Sequence, residues 1–90
     1  MNILRTEYDF LQKRYNIESM YLFGSVARKD NNRYSDVDIL VTFTKTPSLL
    51  TLINMENYLI DLIGVKVDLV MENSLKPEIY KRIFKERIKI

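Results

Sequence analysis

The sequence predicts an α/β fold, a small mixed β-sheet flanked by helices, from three observations. Apolar residues recur at helical spacing at the start of the chain. Three short apolar runs follow, each alternating or bounded by turn residues, as strands do. A long apolar helical pattern separates the second run from the third.

Taken in order, Leu4, Tyr8, Leu11 and Tyr15 stand four, three and four residues apart, which places them on one face of a helix over about Asn2 to Tyr15. Met20-Tyr21-Leu22-Phe23 is short, aromatic and closed by Gly24, so it reads as a buried strand. Ser25 suits an N-cap, and Val26-Ala27-Arg28 can form the first turn of a short helix whose exposed N–H groups would seat an anion. Lys29 to Ser35 is polar and reads as a loop. From Asp36 to Phe43, strand alternation sets Val37, Ile39, Val41 and Phe43 on one face and Asp36 and Asp38 on the other.

Thr44 to Pro47 is a turn. Ser48 then caps a helix carrying Leu49, Leu50, Leu52, Ile53, Leu59, Ile60 and Ile63, and Gly64 ends it. This helix is long enough to cross over a sheet. Val65 to Met71 alternates again, with Asp68 on the same face as Lys66 and Val70. Pro77 starts a last helix with Ile79, Ile83 and Phe84 as its apolar stripe, and Arg87 to Ile90 alternates like a short edge strand.

Composition narrows the chemistry. With 47% hydrophobic and 29% charged residues among 90, the chain reads as one globular domain over 1–90. A domain of this size buries only ~60–65% of the surface its unfolded chain exposes. Cysteine is absent, which excludes disulfides and thiolate chemistry, and histidine is absent too. Any metal site must therefore use oxygen ligands, which suit Mg²⁺ or Mn²⁺ better than zinc. No signal-peptide core and no run near the ~20 apolar residues of a membrane span is present, so a cytoplasmic protein with no membrane partner is expected.

The stretch from Gly24 to Asp38, GSVARKDNNRYSDVD, is the most specific in the chain. Two aspartates one residue apart on a strand face, with Asp68 offered by a nearby strand, can hold divalent cations that neutralise a nucleotide's phosphates. The Gly24-Ser25 turn would take a phosphate on its N–H groups, and Arg28 would add charge there. Each part has a plainer reading. A Gly-Ser pair is usually a turn and a cap, and Asp-Val-Asp is usually a solvated strand face. The combination is the signal, because chance seldom assembles all the parts.

With GSVAR followed by SDVD, and a lone strand Asp after a crossover helix, the chain resembles the DNA polymerase β-type nucleotidyltransferase superfamily. In size it resembles the minimal nucleotidyltransferase (MNT) branch, whose members pair as antitoxins with HEPN-domain toxins. The resemblance runs from Met20 to about Ile90 and implies the polymerase β-like nucleotidyltransferase fold. It implies that Gly24 and Ser25 contact nucleotide phosphate and that Arg28 is the motif arginine. By the same likeness Asp36, Asp38 and Asp68 are the catalytic, metal-binding carboxylates, with Asp68 helping to activate the acceptor hydroxyl. Two Mg²⁺ ions, or Mn²⁺, are the implied cofactors, and ATP the substrate.

Family members often carry a basic residue after the motif serine and a glycine after the arginine, where this chain has Val26 and Lys29. Larger relatives append an acceptor-binding domain for which 90 residues leave no room, so the acceptor is expected from a partner. The implied reaction is transfer of AMP from ATP to a tyrosine hydroxyl of a HEPN RNase toxin, silencing it within a hetero-oligomer.

Two other readings compete. In the first, the chain neutralises its partner by binding alone, although clustered carboxylates that repel one another without metal serve no purpose in a mask. In the second, Lys81, Arg82, Lys85, Arg87 and Lys89, with Lys13, Arg14, Lys29 and Arg33, bind nucleic acid. A net charge of +2 is too small to mark a dedicated binder, and basic residues on an amphipathic helix are usually a solvated face, so nucleic acid is not the expected partner.

Overall fold

The computed structural model describes residues 2–24 and 36–90. Helix α1 (Asn2–Tyr15) leads into strand β1 (Ile17–Phe23). Then come β2 (Val37–Phe43), helix α2 (Leu49–Ile63), β3 (Val67–Met71), a 3₁₀ turn (Glu72–Ser74), helix α3 (Pro77–Glu86) and β4 (Ile88–Lys89). The predicted short helix at Val26 to Arg28 and the loop from Lys29 to Ser35 lie outside the described residues. The strands form one mixed sheet, as the sequence predicts, in the order β3-β2-β1-β4. β1 is antiparallel to both β2 and β4, while β2 and β3 are parallel. A parallel pair needs a crossover, and α2 supplies it.

Local chemistry sets the ends of α2. The Ser48 hydroxyl accepts a hydrogen bond from the Thr51 N–H at 3.1 Å, and Gly64, in the left-handed region at φ 84°, donates its N–H to the Ile60 carbonyl at 2.8 Å.

The sheet has two unequal faces. Leu4 and Leu11 of α1, Met20 and Leu22 of β1, Val37, Ile39 and Val41 of β2, Met55 and Leu59 of α2 and Val67 of β3 form the main core. Ile17 joins them although it is out of phase with Met20 and Leu22. A register shift between Ile17 and Ser19, across from Thr42 and Phe43, explains this. The extra residue of a β-bulge returns Ile17 to the core face. The apolar run Met20-Tyr21-Leu22-Phe23 marks only the second part of this strand, because the polar Glu18 and Ser19 at the bulge separate it from Ile17. β3 likewise starts at Val67, two residues later than alternation predicts, and the Gly64 turn runs up to it.

The opposite face carries Asp38, and beside it Leu40, which is fully buried. Helix α3 covers this region. Ile83 is its buried residue, and Arg87, just past its end, lies 3.9 Å from the ring centre of Tyr21 and 4.0 Å from that of Phe84. Tyr21 pairs with Leu40 across the β1–β2 ladder, so this cation–π sandwich ties α3 to the sheet. The predicted stripe of α3 is thereby narrowed. Phe84 supports Arg87 and remains half exposed, while Ile83 enters the core.

Helix α2 divides in the same way, with Met55 and Leu59 buried but Leu49, Leu50 and Ile53 exposed. Leu59→Ala is therefore expected to destabilise by about 2–5 kcal/mol, lowering the melting temperature by at least about 8 °C. Leu50→Ala should stay within about 0.5 kcal/mol. Denaturant midpoints of the two variants check the contrast. No described helix is long and apolar enough to cross a membrane.

Candidate functional site

The site forms where β1 ends and β2 and β3 begin. Phe23 is the antiparallel partner of Asp38, which brings Gly24 against the Asp38 carboxylate. Gly24 has φ 72°, a region that side-chain-bearing residues rarely adopt, and a Cβ there would run into Asp38 Oδ2. Glycine is required at this position both for its backbone conformation and for the space.

Asp38 is also the register partner of Asp68 in the parallel β2–β3 ladder. Register partners point to the same face of a sheet, and neighbouring strands lie roughly 4.8 Å apart. The third strand carboxylate thus stands directly beside the second. Asp36 precedes β2 at the mouth of the site, where its Oδ2 lies 3.9 Å from Lys66 Nζ. The strand start beneath it is held by the Val37 N–H, which donates to the Lys66 carbonyl at 2.9 Å. Both charged groups of the Asp36–Lys66 pair are well exposed, so it is a weak tie that a stronger cation would displace.

Among the described residues no three acidic side chains converge as a ready-made metal cage. The arrangement is an Asp38–Asp68 pair with Asp36 drawn aside to Lys66. Lys66 offers Asp36 an opposite charge, and Asp38 has an interaction of its own. The donor set is all oxygen, which fits a hard divalent ion. Ser25 and Arg28, the other two predicted phosphate contacts, lie outside the described residues.

A cleft of about 400 Å³ continues from Gly24, lined by Phe23, Gly24, Ile79, Arg82, Ile83 and Glu86. Sequence reasoning gave none of the α3 residues a place here. Their spacing held the only signal: Ile79, Arg82, Ile83 and Glu86 fall at i, i+3, i+4 and i+7, on one side of the helix. Nothing in that spacing says what the side faces.

A larger groove of about 530 Å³ opens at the far end of the sheet, among Phe43, Thr46, Met71, Glu72 and Tyr80. There the Tyr80 phenol has its pKa raised, first by its hydrogen bond to Glu72 and then by partial desolvation, so it keeps its proton. This groove has neither the carboxylate pair nor the glycine turn, so the Gly24 end is the candidate site.

Known proteins resemble this chain along nearly its whole length. The model of the nucleotidyltransferase domain family matches residues 4–90. The protein adenylyltransferase MntA of Thermococcus cleftensis is 44% identical over 85 residues, covering 94% of this chain and 86% of that protein. A solved structure assigned as a minimal nucleotidyltransferase superposes with a TM-score of 0.82 at 33% identity, over 99% of this chain and 94% of that one. A toxin–antitoxin crystal structure with AMP-PNP superposes with a TM-score of 0.80, over 99% of this chain and 72% of that one. At 22% identity that last likeness speaks for the fold alone.

Proposed function

The chain belongs to the nucleotidyltransferase domain family, and from that membership we propose that it is a magnesium-dependent protein adenylyltransferase acting as an antitoxin. It transfers AMP from ATP to a hydroxyl, most simply a tyrosine's, on a HEPN-type toxin, and so silences it. The observation that carries this reading is the register pairing of Asp38 with Asp68, with Gly24 pressed against Asp38. The adenylyltransferase named among its relatives supports the reaction, the minimal nucleotidyltransferase that superposes on the whole chain supports the fold that houses it, and the partner is the one that the family resemblance implies.

In this reading the catalytic unit is the single domain over 1–90. Asp36 and Asp38, with Asp68, would hold two Mg²⁺ ions, which would supply charge neutralisation at the α-phosphate and the leaving pyrophosphate. Gly24, having no side chain, lets the phosphate chain approach the backbone, and Ser25 and Arg28 contact the phosphates as the family resemblance implies. Asp68 accepts the proton of the acceptor hydroxyl. That oxygen forms a bond to the α-phosphorus, the bond from phosphorus to the pyrophosphate oxygen breaks, and AMP stays on the acceptor.

The test is intact-mass measurement of the cognate partner after incubation with this protein, ATP and Mg²⁺. Addition of one or more AMP units is expected, and none should appear without Mg²⁺. The exposed Leu49, Leu50 and Ile53 of α2 favour a second reading, in which the chain covers its partner without chemistry. Silencing of the partner with no change in its mass would establish that reading instead.

A further inference from the structure

Arg82 is the described cation that faces the Gly24 turn with no commitment elsewhere. It lines the cleft with Gly24 and Phe23, is exposed, and makes no ion pair among the described residues. Lys66, near the same carboxylates, is instead drawn to Asp36.

The anchoring of α3 fixes the direction of Arg82. Ile83, the next residue, is buried, and Arg87 just beyond the helix is held between the Tyr21 and Phe84 rings. A guanidinium carried on a pinned helix binds with no backbone left to order, so only the side chain's own rotamer freedom is lost. Phe23, Ile79 and Ile83 form apolar walls around it, and an ion pair made there is screened less than one in open water. Glu86 lines the same cleft one helical turn on and already has an interaction of its own.

The charge pattern asks for this cation. Asp36, Asp38 and Asp68 stand at the β2–β3 end of the sheet and Glu86 lines the adjoining cleft, and a nucleoside triphosphate brings several more negative charges. The carboxylates serve the metal side of the phosphates. Oxygens turned away from the metal need donors, and a guanidinium fork matches a phosphate better than any other side chain.

Building on the proposed adenylyltransferase reading, we infer that Arg82 is a nucleotide-binding residue that grips the terminal phosphates of the triphosphate and thereby sets the preference for a triphosphate over a monophosphate. Sequence alone ranked it with the solvated cations of α3.

The experiment measures KM and kcat for ATP in partner labelling, together with calorimetric titration of AMP-PNP and of AMP. Arg82→Ala should raise the KM for ATP and the dissociation constant for AMP-PNP by about 10- to 100-fold, while AMP binding changes by less than about 3-fold. Arg82→Lys keeps the charge without the fork and should fall between the two. Lys81→Ala, on the outer side of α3, should match the parent protein.

Parental ATP affinity in Arg82→Ala, equal losses for AMP and AMP-PNP, or an Arg82→Lys variant no better than the alanine variant would overturn the assignment while leaving the adenylyltransferase reading intact. A parent protein that binds no AMP-PNP and labels no partner would overturn that reading, and the role of Arg82 with it.

Discussion

Asp38→Asn abolishes transfer of AMP to the partner, lowering the rate by about 10³-fold or more, while the variant melts close to the temperature of the parent. The substitution separates charge from shape. Asp38 stands beside Asp68 on the neighbouring strand, and an amide of the same size fills the same space there. The same change removes a ligand from the ions that stabilise the transition state, a loss of about 4 kcal/mol or more.

Partner labelling and thermal melting in parallel separate these effects. Melting in the presence of ATP and Mg²⁺ adds a second handle. Ligands that bind only the folded state raise the melting temperature, and that rise should be present in the parent and lost in Asp38→Asn. A variant that labels its partner at the parental rate would remove Asp38 from the chemistry. A variant that labels nothing yet still silences the partner would support neutralisation by binding alone.

Gly24→Ala is expected to lose both stability and activity. Any residue but glycine is strained at φ 72°, and such strain costs about 1–3 kcal/mol. In a domain of this size each kcal/mol lowers the melting temperature by about 4–8 °C. The added methyl must also displace the Asp38 carboxylate that it would meet, and a displacement of about 1 Å at a reacting centre can cost 10²-fold in rate. Gly64→Ala is the control. Gly64 shares the left-handed backbone, at φ 84°, but a Cβ there meets nothing within 4 Å. It should lose comparable stability and keep its activity. Equal activity losses in the two variants would mean that strain, and not contact with Asp38, explains the effect at Gly24.

Much of the fold is legible in the sequence because its signals are local. Leu4, Leu11 and Tyr15 of α1 and Val37, Ile39 and Val41 of β2 follow helix and strand periods, and all are buried as their periods require. The caps of α2 rest on Ser48 and Gly64, whose preferences need no tertiary context. Where a local signal was broken or ambiguous, the reading shifted. Ile17 lies across a bulge that reverses the alternation. Leu40 sits on the carboxylate face yet is fully buried, because a helix distant in sequence covers it. Leu49, Leu50 and Ile53 are as apolar as Leu59, and only the turn of α2 against the sheet decides which of them face solvent.

The same division holds at the candidate site. By themselves the residues from Gly24 to Asp38, with Asp68, point to the kind of chemistry proposed, because an all-oxygen ligand set beside a glycine turn suits the handling of metal-bound phosphate. Only the tertiary structure decided that Asp68 stands next to Asp38, that Gly24 leaves room for that carboxylate, and that Arg82 lines the adjoining cleft. Strand register and helix placement come from burying the faces of elements far apart in the chain, so the identity of each residue is local information and its neighbours are not.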